Sequence, residues 1–132
     1  MPSTFNLTSA QEIICSRIQT AAETLLNDFF TWNNTPWNCD QPSRTNIIGA
    51  CVLAIANGGN LPPGFQWRDY NNNMNTITGT QMILMGQACA DFTVAVYSVS
   101  WVHKANVMAM TDPAAVMTYN WAIGWPPPVN QY

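Results

Sequence analysis

A long helical pattern between residues 78 and 106 constrains the fold more than any other feature of the sequence. It opens with Thr78-x-x-Gln81, a capping box in which each side chain bonds the backbone N–H of the other residue. Apolar residues then recur at alternating steps of three and four, and this 3.5-residue repeat predicts one continuous buried stripe. The stripe consists of Met82, Met85, Cys89, Phe92, Val96 and Val99.

The same predicted helix carries a second apolar face, formed by Ile83, Ala90, Val94, Tyr97 and Trp101. Two interpretations stay open. In one, the first face belongs to the protein's own core and the second to a partner subunit; in the other, both are parts of a single wide core stripe. On the first interpretation, the candidate interface residues are Ile83, Val94, Tyr97 and Trp101, together with Trp32 and Trp37.

The first 40 residues predict a helix followed by a hairpin. Ser9-x-x-Glu12 fits another capping box, and apolar residues spaced three and four apart continue the helix to residues 28–30. Aromatic residues then stand on both sides of an Asn-rich turn between Phe30 and Trp37. This arrangement is typical of a short β-hairpin.

Residues 40–59 predict a second helix. Asp40 is placed to cap it, and Pro42 is tolerated in its first turn. The segment Ile47–Ala56 is apolar on every side, which predicts a helix surrounded by other helices. Gly58-Gly59 is expected to end the helix, because glycine adopts the left-handed conformation that closes helices.

Residues 65–69 and 74–77, on either side of Asn71-Asn72-Asn73, predict a second small hairpin. Asp112 followed by Pro113 predicts a last helix that reaches about Trp121. We therefore expect a mainly α (α+β) fold with about four helices and two short β-hairpins in a single domain. Its parts are an N-terminal helix region (1–27), a helical domain (28–127) and a Pro-rich end (128–132), all in one compact unit.

The scarcity of charge limits the functions that this chain can have. Asp, Glu, Lys and Arg make up 8% of the sequence, and the net charge is −3, whereas charged residues are about 25% of an ordinary soluble domain. No basic run exists, so we exclude nucleic acid as a partner and a polybasic membrane anchor. Because so few charges protect a surface poorly against association, we expect other subunits to cover it, as in a homo-oligomer or another symmetric multi-copy assembly.

No targeting segment is expected. Met1-Pro2-Ser3-Thr4-Phe5 has neither the basic start nor the apolar core of a signal peptide. The longest apolar run, Ile47–Ala56, has ten residues, and a membrane-spanning helix needs about 20. The sequence therefore predicts a soluble chain that is synthesised in the cytoplasm and binds no membrane.

The residues that carry chemistry form no catalytic motif. His103 is the only histidine, and nothing in the sequence pairs it with a cysteine nucleophile. A glycosidase needs two carboxylates on either side of a cleft, and Asp40 and Asp69 are candidates because both are predicted to lie in loops. Asp40, however, is better explained as the cap of the second helix. Gly58-Gly59 lacks the lysine and the spacing of a phosphate-binding loop. We expect no enzymatic activity, no cofactor and no bound metal.

The four cysteines, Cys15, Cys39, Cys51 and Cys89, contain no C-x-x-C pair, which argues against a structural zinc site. We expect them to be reduced and buried, where they behave as small hydrophobic residues. A disulfide that forms after release from the cell is the alternative.

The six tryptophans also allow two interpretations. As core or interface anchors, each buries on the order of 200 Å². If several were exposed in one patch beside asparagine, they would suit stacking on sugars. We favour anchors, because the junctions between four helices and two hairpins need large side chains.

Seven short motifs follow one another along the chain. In order they are Phe30-x-Trp32-Asn33, Trp37-Asn38-Cys39-Asp40-x-x-Ser43-Arg44, Ile48-Gly49-Ala50, Trp67-Arg68-Asp69-x-Asn71-Asn72, Thr78-x-x-Gln81-Met82-x-x-Met85-Gly86, Val96-Tyr97-x-x-Ser100-Trp101-x-x-Lys104-Ala105 and Gly124-Trp125-Pro126. Together they resemble a helical domain of tail-fibre, baseplate-associated and other tail-region proteins of tailed bacteriophages and prophages. The resemblance covers roughly residues 28–127.

The resemblance implies core aromatic residues at Trp67, Trp101 and Trp125, and an ion pair between Arg44 and Asp69. It also implies a role in the virion or its assembly. We expect a small tail, baseplate or fibre-attachment subunit that binds other virion proteins in the tail region. The alternatives are a tail-fibre assembly chaperone absent from the mature particle, a carbohydrate-binding receptor-recognition module and a head decoration protein.

Overall fold

The computed structural model describes residues 6–127, which form four helices and two antiparallel hairpins. The predicted mainly α fold with two small hairpins is confirmed. The Pro-rich end (128–132) and the first five residues lie outside the described residues. In chain order the elements are α1 (Leu7–Leu26), β1 (Phe29–Trp32), β2 (Thr35–Asn38), α2 (Gln41–Ala56), β3 (Gln66–Arg68), β4 (Met74–Thr76), α3 (Gly79–Ala109) and α4 (Pro113–Met117).

The contacts between residues divide the chain into two compact units. The α1 unit contains α1 as far as Thr24, α3 from Ala95 onward, α4 and the following residues to Pro126. The hairpin unit contains residues 25–94, which include both hairpins, α2 and the first half of α3. Helix α3 therefore contributes residues to both units.

The α1 unit has an apolar core of its own. Ala10, Ile14 and Ile18 recur every four residues along α1, and they are fully buried together with Val107 of α3 and Val116 of α4. The side-chain amide of Gln11 donates to the backbone carbonyls of residues 107, 108 and 110. These bonds attach α1 to the end of α3, where helix carbonyls lack donors within the helix.

The first hairpin has a tight two-residue turn. β1 and β2 are antiparallel, with Trp32 opposite Thr35. Asn33 and Asn34 join them at φ values of 55° and 59°. Two left-handed residues form the turn that matches the right-handed twist of the strands, and asparagine tolerates this conformation better than most residues.

Helix α2 begins as predicted, but its environment differs from the prediction. The Asp40 carboxylate accepts bonds from the Ser43 N–H at 3.3 Å and the Ser43 hydroxyl at 2.6 Å. Within α2, however, only Ile47 and Ala54 are buried. The prediction that other helices of this chain surround α2 is wrong, because the described residues pack against one side of it and leave the rest exposed.

Helix α3 confirms the predicted capping box and buried stripe. The Thr78 N–H donates to Gln81 Oε1 at 2.9 Å, and the Gln81 N–H donates to Thr78 Oγ1 at 3.1 Å. Five of the six stripe residues are at most 5% exposed, and Val99 is half-buried. The helix continues to Ala109, three residues beyond the expected end.

Two helix ends were predicted wrongly. The cap of α1 is Asn6, whose Oδ1 accepts the Ser9 N–H at 2.8 Å, so the predicted box starting at Ser9 lies inside the helix. Helix α4 ends at Met117 and does not reach Trp121, because the Thr118 N–H bonds the Ala115 carbonyl three residues back. Such a tightened last turn is a common way to end a helix.

We expect alanine to have opposite effects on stability at two glycines that lie within helices. A Cβ at Gly86 would lie 2.7 Å from the Cβ and Sγ atoms of Cys51, whereas a Cβ at Gly49 would meet nothing within 4 Å. We expect Gly86→Ala to lower the free energy of unfolding by about 1–3 kcal/mol through overpacking. Gly49→Ala should raise it by about 0.5–1 kcal/mol, because alanine favours the helix. Urea unfolding of both variants checks the prediction, and equal stability of Gly86→Ala and the wild type would contradict the close packing of α3 on α2.

Candidate functional site

His103 is a buried side chain with both ring nitrogens bonded. It is 6% exposed, its Nε2 lies 2.7 Å from the Ile123 carbonyl oxygen, and its Nδ1 lies 2.6 Å from the Tyr119 hydroxyl. Because a carbonyl only accepts, we assign the proton to Nε2, and the Tyr119 hydroxyl then donates to Nδ1. The ring also packs against Trp125 at a centroid distance of 5.6 Å. His103 thus holds the segment after α4 on α3, and neither nitrogen is left for a cysteine nucleophile.

Asp69 organises the second hairpin. Its side chain is 4% exposed, and Oδ1 accepts the N–H groups of Asn71 at 2.8 Å and Asn73 at 3.0 Å. Oδ2 accepts the side-chain amide of Asn75 at 3.0 Å. Burial acts to raise the pKa of Asp69, but the three hydrogen bonds together keep this pKa below its ordinary value. The carboxylate is therefore a structural acceptor for the turn between β3 and β4.

Arg44 does not pair with Asp69, so the ion pair that the resemblance implied is wrong. The Arg44 Nη1 donates to the carbonyl oxygens of Cys39 at 2.5 Å and Leu26 at 3.3 Å. The physical reason is that the Asp69 carboxylate is satisfied within its own turn, while backbone carbonyls hold the guanidinium near the start of α2. Within residues 6–127, no group of three or more His, Cys, Asp or Glu side chains is placed to hold a metal ion.

A pocket of about 430 Å³ lies in the hairpin unit between α2 and α3. The hydroxyls of Thr45 and Thr93 face helix carbonyls, to which they donate at 3.0 Å and 2.8 Å. The wall of the pocket is therefore mostly apolar, and the cationic Arg44 is one of its lining residues. It is lined by Arg44, Thr45, Ile48, Cys89, Ala90, Thr93 and Val94.

Helix α2 exposes a group of large apolar side chains. Four large apolar side chains, which we call the α2 face, are 40–58% exposed: Ile48, Val52, Leu53 and Ile55. The spacing of Ile48, Val52 and Ile55 puts these three on one side of the helix. No charged residue occurs between residues 45 and 56. Contiguous exposed apolar side chains of this kind mark interaction surfaces.

The α1 unit exposes a second apolar surface on its part of α3. Trp101 and Met108 are 62% and 59% exposed, and Tyr97 stacks on Trp101 with ring centroids 6.0 Å apart and an interplanar angle of 19°. The spacing of four and seven residues aligns these side chains along the helix. We call Tyr97, Trp101 and Met108 the α3 stripe.

The structure gives the six predicted interface residues different environments. Val94 and Trp101 are more than 60% exposed, whereas Ile83, Tyr97 and Trp32 are half-buried. Trp101 is therefore not the core residue that the resemblance implied.

Trp37 is 2% exposed, and its indole N–H donates to the Trp32 carbonyl at 3.0 Å. It is a core residue of the hairpin unit and offers almost no surface to a partner, so its assignment to an interface is wrong.

The exposure of the α2 face was not predicted from the sequence. Ile47–Ala56 is apolar on every side, but among the described residues only one side of the helix is packed against other elements. A helix that is apolar on every side is usually buried on every side, and α2 departs from this rule. The number of neighbouring elements that reach α2 is a property of the tertiary fold.

Within the described residues, α3 is long and apolar enough to cross a membrane by length and composition alone. The mean hydropathy of its most apolar 18 residues is 1.4, and 39% of that window is buried. The longest uninterrupted apolar run of the sequence lies in α2 and not in α3, because polar residues interrupt the apolar stretches of α3. The core helix of a soluble protein can pass the same test, so length and composition alone are weak evidence for a membrane span.

A family model described as a domain of unknown function (DUF4376) matches residues 9–121. The chain belongs to this family. The matched segment includes both the α2 face and the α3 stripe. No curated protein and no solved structure gives a significant match.

Replacing Asp69 tests its structural role. Because the pKa of Asp69 is lowered in the folded state, its contribution to stability is present above the unfolded-state pKa of about 3.9 and is lost as the pH falls through the folded-state pKa. We expect Asp69→Asn to lower the free energy of unfolding at pH 7 by about 1.5–3 kcal/mol, the usual contribution of hydrogen bonds to a charged acceptor. When stability is measured from pH 7 to pH 2, the variant should also lack the part of the acid-dependent loss that Asp69 contributes in the wild type.

Asp91→Asn is the matched control, because Asp91 is exposed on α3. It should change the free energy of unfolding at pH 7 by less than about 0.5 kcal/mol. An Asp69→Asn protein that matches this control in stability would show that the turn does not need the carboxylate.

Proposed function

We propose that this chain is a structural subunit of a tailed-bacteriophage particle, used in the tail, baseplate or fibre-attachment region. It acts by docking onto neighbouring virion proteins and further copies of itself. The observation that carries the proposal is the α2 face, which exposes four large apolar side chains in a segment without charge. The ordered motifs that resemble phage tail-region domains support the assignment to a phage particle.

The scarcity of charge suits a docking role. Burying an ion at an interface has a large desolvation cost, and interface cores are accordingly depleted in charged residues. Helix α3 carries only Asp91 and Lys104 as Asp, Glu, Lys or Arg residues along its 31 residues. Both exposed apolar surfaces can therefore be covered with few ions removed from water.

The size of the α2 face favours assembly through more than one contact. Full burial of a large apolar side chain contributes about 1.5–3 kcal/mol, and these four are already roughly half-buried. Their combined contribution is about 3–6 kcal/mol, near the lower end of the roughly 4–15 kcal/mol that association costs. A stable complex thus needs further surface, such as the α3 stripe or several neighbours in a symmetric particle.

The sugar-binding alternative has less support. It required several exposed tryptophans in one patch, and all six tryptophans lie within residues 6–127. Of these, Trp101 is exposed, Trp37 is buried and the others are half-buried. Five of the six tryptophans are therefore buried or half-buried by other residues of this chain, which leaves little of their surface for stacking on a sugar.

Charge substitutions test the docking surface. We expect Val52→Glu to abolish self-association or binding to neighbouring virion proteins, because the carboxylate would have to be desolvated within the contact. Asn46→Glu, at an exposed polar position of the same helix, is the matched control and should leave assembly unchanged. Trp101→Glu tests the α3 stripe in the same way.

Light scattering after size-exclusion chromatography reports self-association, and urea unfolding confirms that each variant is folded. If Val52→Glu and Asn46→Glu assemble equally well, the α2 face is not the docking surface.

Quantitative mass spectrometry of purified virions tests the location in the particle. The proposal predicts a fixed copy number in ratio to the tail proteins. Presence in infected cells combined with absence from virions would instead support the assembly chaperone. A fixed ratio to capsid proteins in tailless heads would support head decoration.

A further inference from the structure

The pocket between α2 and α3 combines an apolar wall with one cationic side chain. Its volume of about 430 Å³ is within the range of roughly 300–1,000 Å³ that small-molecule sites occupy. Its lining residues all belong to the hairpin unit. Among these described residues Arg44 is the only charged one, so no acidic side chain in the wall repels an anion. A single positive charge on an apolar wall favours an organic anion over a neutral or cationic molecule.

The fold holds the Arg44 guanidinium in place before any ligand arrives. Its Nη1 donates to the carbonyl oxygens of Cys39 at 2.5 Å and Leu26 at 3.3 Å. Because two backbone groups fix the side chain, it has little conformational freedom left to lose when a ligand binds. A preorganised cation of this kind binds an anion more tightly than a flexible surface side chain does.

The positive charge of Arg44 has no ion-pair partner within residues 6–127. The carboxylate of Asp40, one helical turn earlier, accepts bonds from Ser43 instead. The guanidinium also carries N–H groups on Nε and Nη2, which lie side by side in the geometry that the two oxygens of a carboxylate accept. Since no buried side-chain nitrogen of the described residues lacks a partner, any of these N–H groups that the chain leaves unbonded is reached by solvent.

The rest of the pocket offers contact to an apolar group. The hydroxyls of Thr45 and Thr93 already donate to carbonyls of their own helices. Ile48 of α2 and Val94 of α3 are 40% and 61% exposed, and they leave apolar surface for a ligand to cover. Helix α2 rises about 6 Å between Arg44 and Ile48, which is enough for a chain of several carbon atoms beside a carboxylate bound at Arg44.

We propose that this pocket binds an aliphatic monocarboxylate of medium length. The carboxylate pairs with the Arg44 guanidinium, and the hydrocarbon chain covers Ile48, Ala90 and Val94. An inorganic anion would leave the apolar wall uncovered, and a neutral hydrocarbon would leave the charge unpaired. This inference rests on the chemistry of the pocket and does not depend on the proposed function, so it is tested on this chain alone.

The first test compares ligands of the same length and different charge by isothermal titration calorimetry. Octanoate, below the concentration at which it forms micelles, should bind the wild-type chain at one site. Octan-1-ol should bind at least about tenfold more weakly, because it lacks the hydrogen bonds between two charged groups. Octylammonium should bind more weakly still. Shortening the acid to butanoate should weaken binding by up to about fourfold per methylene removed.

The second test places the site on the molecule. Ala90 is an exposed residue of α3 in the pocket wall, so Ala90→Leu should fill the pocket without overpacking the core and abolish octanoate binding. Gln87→Leu is the matched control, because Gln87 is an exposed residue of the same helix outside the pocket, and it should bind octanoate as the wild type does.

Arg44→Lys tests the paired donors. It keeps the positive charge but loses the fork of N–H groups, so it should weaken octanoate binding more than octan-1-ol binding. Urea unfolding shows whether each variant is folded. If Arg44→Lys does not fold, the ligand series and the Ala90→Leu variant still decide the question.

Three results would overturn the inference. One is that octanoate does not bind, or binds no more tightly than octan-1-ol. Another is equal binding of octanoate by Ala90→Leu and Gln87→Leu, which would put the ligand on another apolar surface such as the α2 face or the α3 stripe. The third is that acetate binds as tightly as octanoate, which would mean that the apolar wall contributes nothing.

Discussion

The buried stripe of α3 is the constraint on which the rest of the structure depends. A helix of 31 residues presents apolar side chains along its whole length, and Met82, Met85 and Val96 are fully excluded from water. Each compact unit uses a part of this helix. In the hairpin unit, the absence of a side chain at Gly86 lets α3 approach Cys51 of α2. In the α1 unit, Val107 joins the apolar core formed with α1 and α4.

The same composition that builds these cores leaves apolar surface uncovered. With 48% hydrophobic residues and 8% charged residues, the chain has more apolar side chains than its helices can bury against one another. Part of this surplus lies on the α2 face and the α3 stripe, where side chains are up to 62% exposed, and part lies elsewhere, for example at Val94 and Val102. Since burial of such surface is favourable and few ions need to be desolvated, this composition suits the docking role that we propose.

The buried polar side chains serve the fold. His103 joins α3 to the segment after α4, Asp69 holds the turn of the second hairpin, and Arg44 bonds the carbonyls near the start of α2.

The sequence by itself determined the local structure. The caps at Asp40 and Thr78, the Asn33-Asn34 turn and the stripe of α3 follow from residues at most a few positions apart, and the hydrogen bonds that form them are short-range. Only the tertiary structure decided which apolar faces are covered, that Trp37 is a core residue and that Arg44 does not meet Asp69. The physical reason is that burial and pairing depend on which distant segments meet, and this is fixed by packing over the whole unit rather than by periodicity along one element.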